Sequence, residues 1–220
     1  MVVAAVPVKD LVNAKRRLLR VLGADERVAL ARAMLGDVLR AFQPSGIDVV
    51  WVVTRDSEVA AIAQALGAQV LAEVENRGHT TAVALAQARA RQAGARIFAT
   101  VPGDVPAVTA AELRTLVTTG AGYPKRVVFA PSRSGLGTNG VALAPPDAMP
   151  LTFGEPSFEN HLAAARDRGF TPHVVTLPGL GLDIDDAEDL HALVAEAPET
   201  ESGRLVADWA RTGRIAAPAG

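Results

Sequence analysis

The run at residues 47–54, Ile-Asp-Val-Val-Trp-Val-Val-Thr, limits the fold more than any other stretch. From Val49 to Val53 it is apolar at every position, with no alternation. Successive strand residues point to opposite faces, so such a strand must be covered on both sides. A shorter apolar run at 2–6 precedes it, and another at 69–72 follows. Between the first two lies a segment beginning at Asp25, with Leu30, Met34, Val38 and Phe42 at helical spacing. Pro44-Ser45-Gly46 ends it. Residues 58–66 read as a second helix with Gly67 as its C-cap. The order β-α-β-α-β thus fills about the first 75 residues, a parallel, doubly wound start to an α/β fold.

A chain of 220 residues suits one large α/β domain or two small ones, and it contains no repeat or linker. One domain is expected over 1–215, with a frayed tail at 216–220. Aromatics are 4% of the residues, so the core must be mostly Ala, Val and Leu. A net charge of −2 gives no electrostatic case for nucleic acid or an anionic membrane surface. The absence of cysteine excludes disulfides, thiolate zinc sites and thiol catalysis. There is no apolar span long enough for a membrane helix and no charged n-region before the first strand, so a cytoplasmic location is expected.

Residues 97–101 read as a buried strand that stops at Pro102-Gly103, and Asp104 follows at once. Val105-Pro106 then leads to Thr109, the expected N-cap of a helix at 110–117. Asp104 therefore sits just past the carboxyl end of a strand, where open α/β sheets bind ligands. A carboxylate there can hold a magnesium ion that also grips phosphate oxygens; the alternative is a turn or capping aspartate. Extended backbone at 182–185 would put Asp183 and Asp185 on one face. Two such carboxylates repel unless a cation or proton lies between them, which makes Asp183 a partner for Asp104 on a metal. Asp186 is expected to cap the helix at 187–194. After the first strand, Lys9, Lys15 and Arg17 gather cations at one sheet edge, suited to phosphates or simply to water.

Three further stretches can approach a ligand. The polar loop 75–81, with Gly78, precedes the alanine-rich helix 82–92 and can offer backbone N–H groups to an anion or a base edge. Its alternative is a helix start capped by Thr80 or Thr81, and His79 by itself makes no case for catalysis. Following a strand at 126–130, residues 131–140 carry Gly135 and Gly137, then Thr138-Asn139. The glycines allow close backbone approach, and the hydroxyl and amide supply donors. The spacing is neither a Walker loop nor a Rossmann fingerprint. A strand resumes at 141–144. Finally, the turn from Phe153 to Phe158 opens a helix holding His161, with Ser157 as N-cap or as anion ligand. A strand at 174–177 and a last helix at 199–213, with Leu205 and Trp209 inward, complete the chain.

Several motifs in this order carry a resemblance. They are Val6-Pro7-Val8-Lys9 with Ala14-Lys15 and Arg17-Leu18, the run from Val101 to Pro106, Ala130-Pro131, Gly137-Thr138-Asn139, Phe153-Gly154 with Ser157-Phe158 and His161, and Leu182-Asp183-Ile184-Asp185 with Asp189-Leu190. Together they resemble the guanylyltransferase family that makes the phospho-acid precursor of the deazaflavin coenzyme F(420). The resemblance implies a single-domain nucleotidyltransferase fold, a Rossmann-like mixed, mostly parallel sheet with helices on both faces. It implies GTP as donor substrate, Mg2+ as cofactor, and a phosphorylated three-carbon acid as acceptor: phosphoenolpyruvate, 2-phospho-L-lactate or 3-phosphoglycerate. By the same resemblance, Lys15 and Asp104 are catalytic, and Lys9, Lys15, Arg17 and Gly78 bind the nucleotide. Asp104, Asp183 and Asp185 bind metal, while Thr138, Gly154 and Ser157 bind the acid. The partners implied are small molecules, with no nucleic acid and no membrane, and a homodimer is allowed. One departure stands out: the family has Gly-Leu-Asn where this chain has Arg77-Gly78-His79-Thr80-Thr81, a change that bears on base or acceptor choice. Two other readings stay open, a molybdenum-cofactor or sugar-phosphate nucleotidyltransferase, and a catalytically silent nucleotide-binding module.

Overall fold

The structure is a computed structural model that describes residues 1–12, 14–73, 75 and 77–215. Its strands are β1 (Val2–Pro7), β2 (Val49–Thr54), β3 (Gln69–Ala72), β4 (Ile97–Thr100), β5 (Arg126–Pro131), β6 (Thr138–Ala144) and β7 (His173–Val174). They form one sheet in the order β3-β2-β1-β4-β6-β5-β7. The first four strands are mutually parallel, β6 runs antiparallel to both neighbours, and β7 is parallel to β5. The expected mixed, mostly parallel sheet is what forms.

Helices cover both faces: α1 (Ala24–Phe42), α2 (Ser57–Ala65), α3 (His79–Gln92), α4 (Ala110–Thr118), α5 (Ser157–Arg166), the single turn α6 (Pro178–Gly181), α7 (Ala187–Glu196) and α8 (Glu201–Arg211). Strand periodicity divides the core in two. Ala4 and Val6 face a layer with Leu30, Met34, Leu113, Leu190 and Trp209. Val3 and Ala5 face one with Val83, Ala86, Phe98, Phe129 and Leu162. This two-sided burial is why β1, and β2 from Val49 to Val53, are apolar at every position.

Local signals set several boundaries. Thr109 and Asp186 form capping boxes on α4 and α7, as expected. Other boundaries differ. α3 begins at His79, with Gly78 in the N-cap position at φ 98°, so neither Thr80 nor Thr81 caps it. β6 begins at Thr138, because pairing with Pro131 across the hairpin draws Thr138, Asn139 and Gly140 out of the expected loop. Ser157 is the first residue of α5 and makes no cap; Pro156 holds that position. Of the strand expected at 174–177, only Val174 lies in β7, which begins a residue earlier at His173. Residues 216–220, expected to fray, lie outside the described residues. No described helix is long and apolar enough to cross a membrane.

Candidate active site

The parallel strands end on one edge, and the sheet reverses direction of growth between β1 and β4. That switch point is where a crevice opens in doubly wound sheets. Here it is a cleft of about 470 Å3, lined by Pro7 to Leu11, Ala14 to Arg17, His79, Pro102 to Asp104, and Asp185.

The segment after β1 is held in place by leucines. Leu11, Leu18 and Leu22 are buried in the core, while Lys9, Arg16 and Arg17 remain exposed. Lys15 adopts the left-handed conformation at φ 55°, the one positive φ outside glycine among the described residues. Its side chain turns inward and is 7% exposed. Nζ donates to Asp104 Oδ2 at 2.5 Å and to Asp185 Oδ1 at 3.0 Å. Arg17 reaches the other oxygen of Asp185 at 3.2 Å. Burial alone would lower the Lys15 pKa, but the two carboxylates outweigh it and hold it above the ordinary lysine value. Asp104 shows the converse: burial would raise it, and Lys15 holds it below the usual carboxylate range.

Asp183 lies beside this pair. The backbone of Ile184 donates to the carbonyl of Asp104 at 3.1 Å, which brings the 183–185 segment against the end of β4. Asn139 Nδ2 donates to Asp183 Oδ1 at 2.9 Å. Burial raises the Asp183 pKa, and repulsion from Asp104 and Asp185 adds to the rise. Asp185, expected beside Asp104 and Asp183 on the metal, has its side chain turned to Lys15 and Arg17. Among the described residues, no group of three or more His, Asp or Glu side chains is arranged to hold a metal ion.

The cleft thus gathers Lys9, Lys15, Arg17, Asp104 and Asp185, with Gly78 one residue from its wall at His79. Thr138, Gly154 and Ser157 lie outside its lining. Thr138 and Ser157 are buried against each other, Thr138 N–H donating to Ser157 Oγ at 3.0 Å. Gly154, at φ 115°, makes the turn after Phe153 that a side chain would resist. Phe153 joins the two regions: its N–H donates to Thr80 Oγ1 at 2.9 Å, and its ring meets His79 edge-on at 4.5 Å.

His79 is the wall residue that sequence reasoning passed over. Burial and Lys9 depress its pKa, against the pull of Asp104, to about 4, so it presents a neutral imidazole. Only its place at the head of α3 could have signalled it. Asn139, which orients Asp183, was visible as part of the Thr138-Asn139 pair but without a role.

A mostly parallel sheet with a cation-lined crevice at its switch point, one carboxylate just past the end of β4 and two more in the segment bonded against it, is the arrangement of a nucleotidyltransferase-type α/β fold. Two solved structures share it at low sequence identity. One, from Desulfovibrio desulfuricans G20 and provisionally described as a nucleotide-diphospho-sugar transferase, aligns with TM-score 0.77 and 14% identity over 96% of this chain and 95% of its own. The other, a nucleotidyl transferase from Methanothermobacter thermautotrophicus, aligns with TM-score 0.62 and 20% identity over 89% and 96%. The chain belongs to the CofC-like guanylyl transferase family, whose profile matches residues 2–207. Its relatives include the phosphoenolpyruvate guanylyltransferases of Conexibacter woesei, 37% identical over 86% of each chain, and of Roseiflexus castenholzii, 39% identical over 94% of each. The 2-phospho-L-lactate guanylyltransferase of M. thermautotrophicus is 34% identical over 90% of this chain and 86% of its own.

Proposed function

We propose that this protein transfers GMP from GTP to a phosphorylated three-carbon acid, with phosphoenolpyruvate as the first candidate, in coenzyme F(420) biosynthesis. The observation that carries this reading is the Lys15 ammonium bridging Asp104 and Asp185 at the switch-point cleft. Family membership and the names of the relatives support the rest. The assignment of phosphoenolpyruvate follows the two relatives that are 37% and 39% identical. One domain over 1–215 and a cytoplasmic enzyme working on small molecules accord with it.

In the transfer, an oxygen of the acceptor phosphate forms a bond to the α-phosphorus of GTP, the α–β bridging P–O bond breaks, and pyrophosphate leaves. The attacking group is already an anion, so no side chain has to remove a proton. What the protein must supply is placement and charge neutralisation. Lys9, Lys15 and Arg17 neutralise the triphosphate along one wall, and the backbone at Gly78 faces the nucleotide. Thr138, Gly154 and Ser157 hold the acid.

The donor set fits magnesium, since it is all oxygen and includes a carboxylate, Asp183, whose pKa is raised first by burial and further by repulsion from Asp104 and Asp185. Asp104 and Asp183 would hold the ion. The metal, when bound, supplies charge neutralisation on the phosphoryl groups. In the free protein Lys15 keeps Asp104 ionised.

The test is incubation of the protein with GTP and Mg2+ and each of phosphoenolpyruvate, 2-phospho-L-lactate and 3-phosphoglycerate, with products read by mass. A guanylylated acid plus pyrophosphate is expected. No adduct with any of the three, or equal use of ATP, would overturn the assignment.

A further inference from the structure

The start of β6 and the first turn of α5 enclose a polar cluster whose geometry goes beyond acid binding as such. Thr138, Ser157 and His161 are 7%, 2% and 2% exposed. The His161 ring stacks parallel to Phe129, with centroids 5.5 Å apart, and meets the edge of Phe153 at 5.1 Å. Its Nε2 receives the backbone N–H of Thr152 at 3.0 Å. An amide N–H can only donate, so Nε2 carries no proton. The ring proton is therefore on Nδ1, which donates to Thr138 Oγ1 at 3.0 Å. Burial holds the His161 pKa at about 4, so the neutral ring is the form present near pH 7.

The hydroxyl hydrogens can then be counted. Ser157 Oγ accepts the N–H of Thr138 at 3.0 Å, and a single contact of 3.3 Å joins the two hydroxyl oxygens. Two O–H groups share that one contact. It runs from Ser157 to Thr138, so the Thr138 hydroxyl hydrogen is left over, and neither side chain meets another acceptor among the described residues. With the opposite tautomer, Thr138 would donate to Nδ1 and Ser157 to Thr138, leaving nothing over. A nearly buried hydroxyl hydrogen without an acceptor is costly. A site that keeps one is arranged for an oxygen arriving from outside.

We infer that His161 is a positioning residue: Thr152 locks it in the Nδ1–H form, so that the Thr138–Ser157 pair offers one hydroxyl hydrogen to an anionic oxygen of the acceptor acid. This rests on the acceptor reading given above. It adds the residue that decides whether the pair is a donor or is saturated.

Nitrogen-15 NMR of the imidazoles in the free wild-type protein tests the lock without any turnover. Expected is a pyrrole-type Nδ1 and a pyridine-type Nε2 for His161; the reverse assignment overturns the inference. Two variants then test the consequence. His161→Gln keeps an acceptor near the Nε2 position and removes the donor to Thr138. His161→Asn keeps an amide N–H near Nδ1 and removes the acceptor for Thr152. His161→Gln should raise the KM for phosphoenolpyruvate about tenfold, with that for GTP within about twofold of wild type, the size expected for one hydrogen bond to a charged ligand. His161→Asn should stay nearer to wild type on the acid. A purely structural histidine would lower the melting temperature in both and move the two KM values alike, which would also overturn the inference. Should the wild type itself guanylylate no phospho-acid, the acceptor reading fails and the role of His161 falls with it. That outcome is distinct from a wild-type enzyme whose His161 variants keep their acid KM.

Discussion

Replacing Lys15 by methionine strikes the ion cluster at its centre. The side chain is 7% exposed and its ammonium lies 2.5 Å from Asp104 and 3.0 Å from Asp185. Methionine fills most of the same space and leaves the two carboxylates with no cation between them. Removing one partner of a fully buried pair costs about 3–5 kcal/mol. Asp104 and Asp185 are 34% and 41% exposed, and Arg17 keeps a contact of 3.2 Å with Asp185. Water and Arg17 therefore recover part of the loss, and about 2–3 kcal/mol is expected. For a chain of this length that is a fall of roughly 5–10 °C in Tm. The pH dependence has a definite sign. Lys15 is held above its ordinary pKa, so its contribution is present below the unfolded value and lost as pH rises through the folded one. Asp104 is held below its ordinary pKa, so its contribution is present above the unfolded value and lost as pH falls through the folded one. The gap between wild type and Lys15→Met should be flat from about pH 5 to 9 and narrow beyond both limits. Thermal melts of the two proteins across this range, without nucleotide or metal, measure it. A variant that melts within about 1 °C of wild type near pH 7 would refute the reasoning. So would a gap that widens toward either extreme.

Asp104→Asn should cut turnover by about a thousandfold. It leaves Lys15 on Asp185, so it should cost only about 1 kcal/mol of stability, and activity loss with near-wild-type melts is the signature. Asp183→Asn should do the opposite to stability: it removes a carboxylate strained by burial and by two like charges, so the metal-free protein should melt higher, while guanylyl transfer is lost. Equal or lower melting would count against that strain at Asp183. Ser157→Ala should raise the KM for the acid by about ten- to a hundredfold and leave that for GTP nearly unchanged; unchanged constants for both would remove Ser157 from the acid site. Far from the cleft, Asp37 accepts from the N–H groups of Glu201 and Ser202 and from the Ser202 hydroxyl, pinning the start of α8 to α1. Asp37→Ala should cost about 2–4 kcal/mol in urea unfolding with kinetic constants intact.

What the sequence determined by itself is local. Apolar runs without alternation dictated strands covered on both faces, and helical spacing of Leu30, Met34, Val38 and Phe42 dictated α1, all four of them buried. Thr109 and Asp186 announced the helix starts they cap, because a cap needs only a side chain and an N–H three residues on. Asp104 past a strand end, and Lys9, Lys15 and Arg17 after β1, were legible for the same reason: chain direction in a parallel sheet sends every such loop to one edge. The pairings across the cleft were not. Lys15 meets Asp104 and Asp185 across 89 and 170 residues of chain. Only the left-handed turn at Lys15 and the bond from Ile184 to Asp104 decide that Asp185 faces a lysine while Asp183 faces Asn139. Ser157 likewise carried every local mark of a helix cap. Tertiary structure turned it inward, because the antiparallel insertion of β6 between β4 and β5 set Thr138 against it, and a buried hydroxyl bonds to whatever donor packing brings.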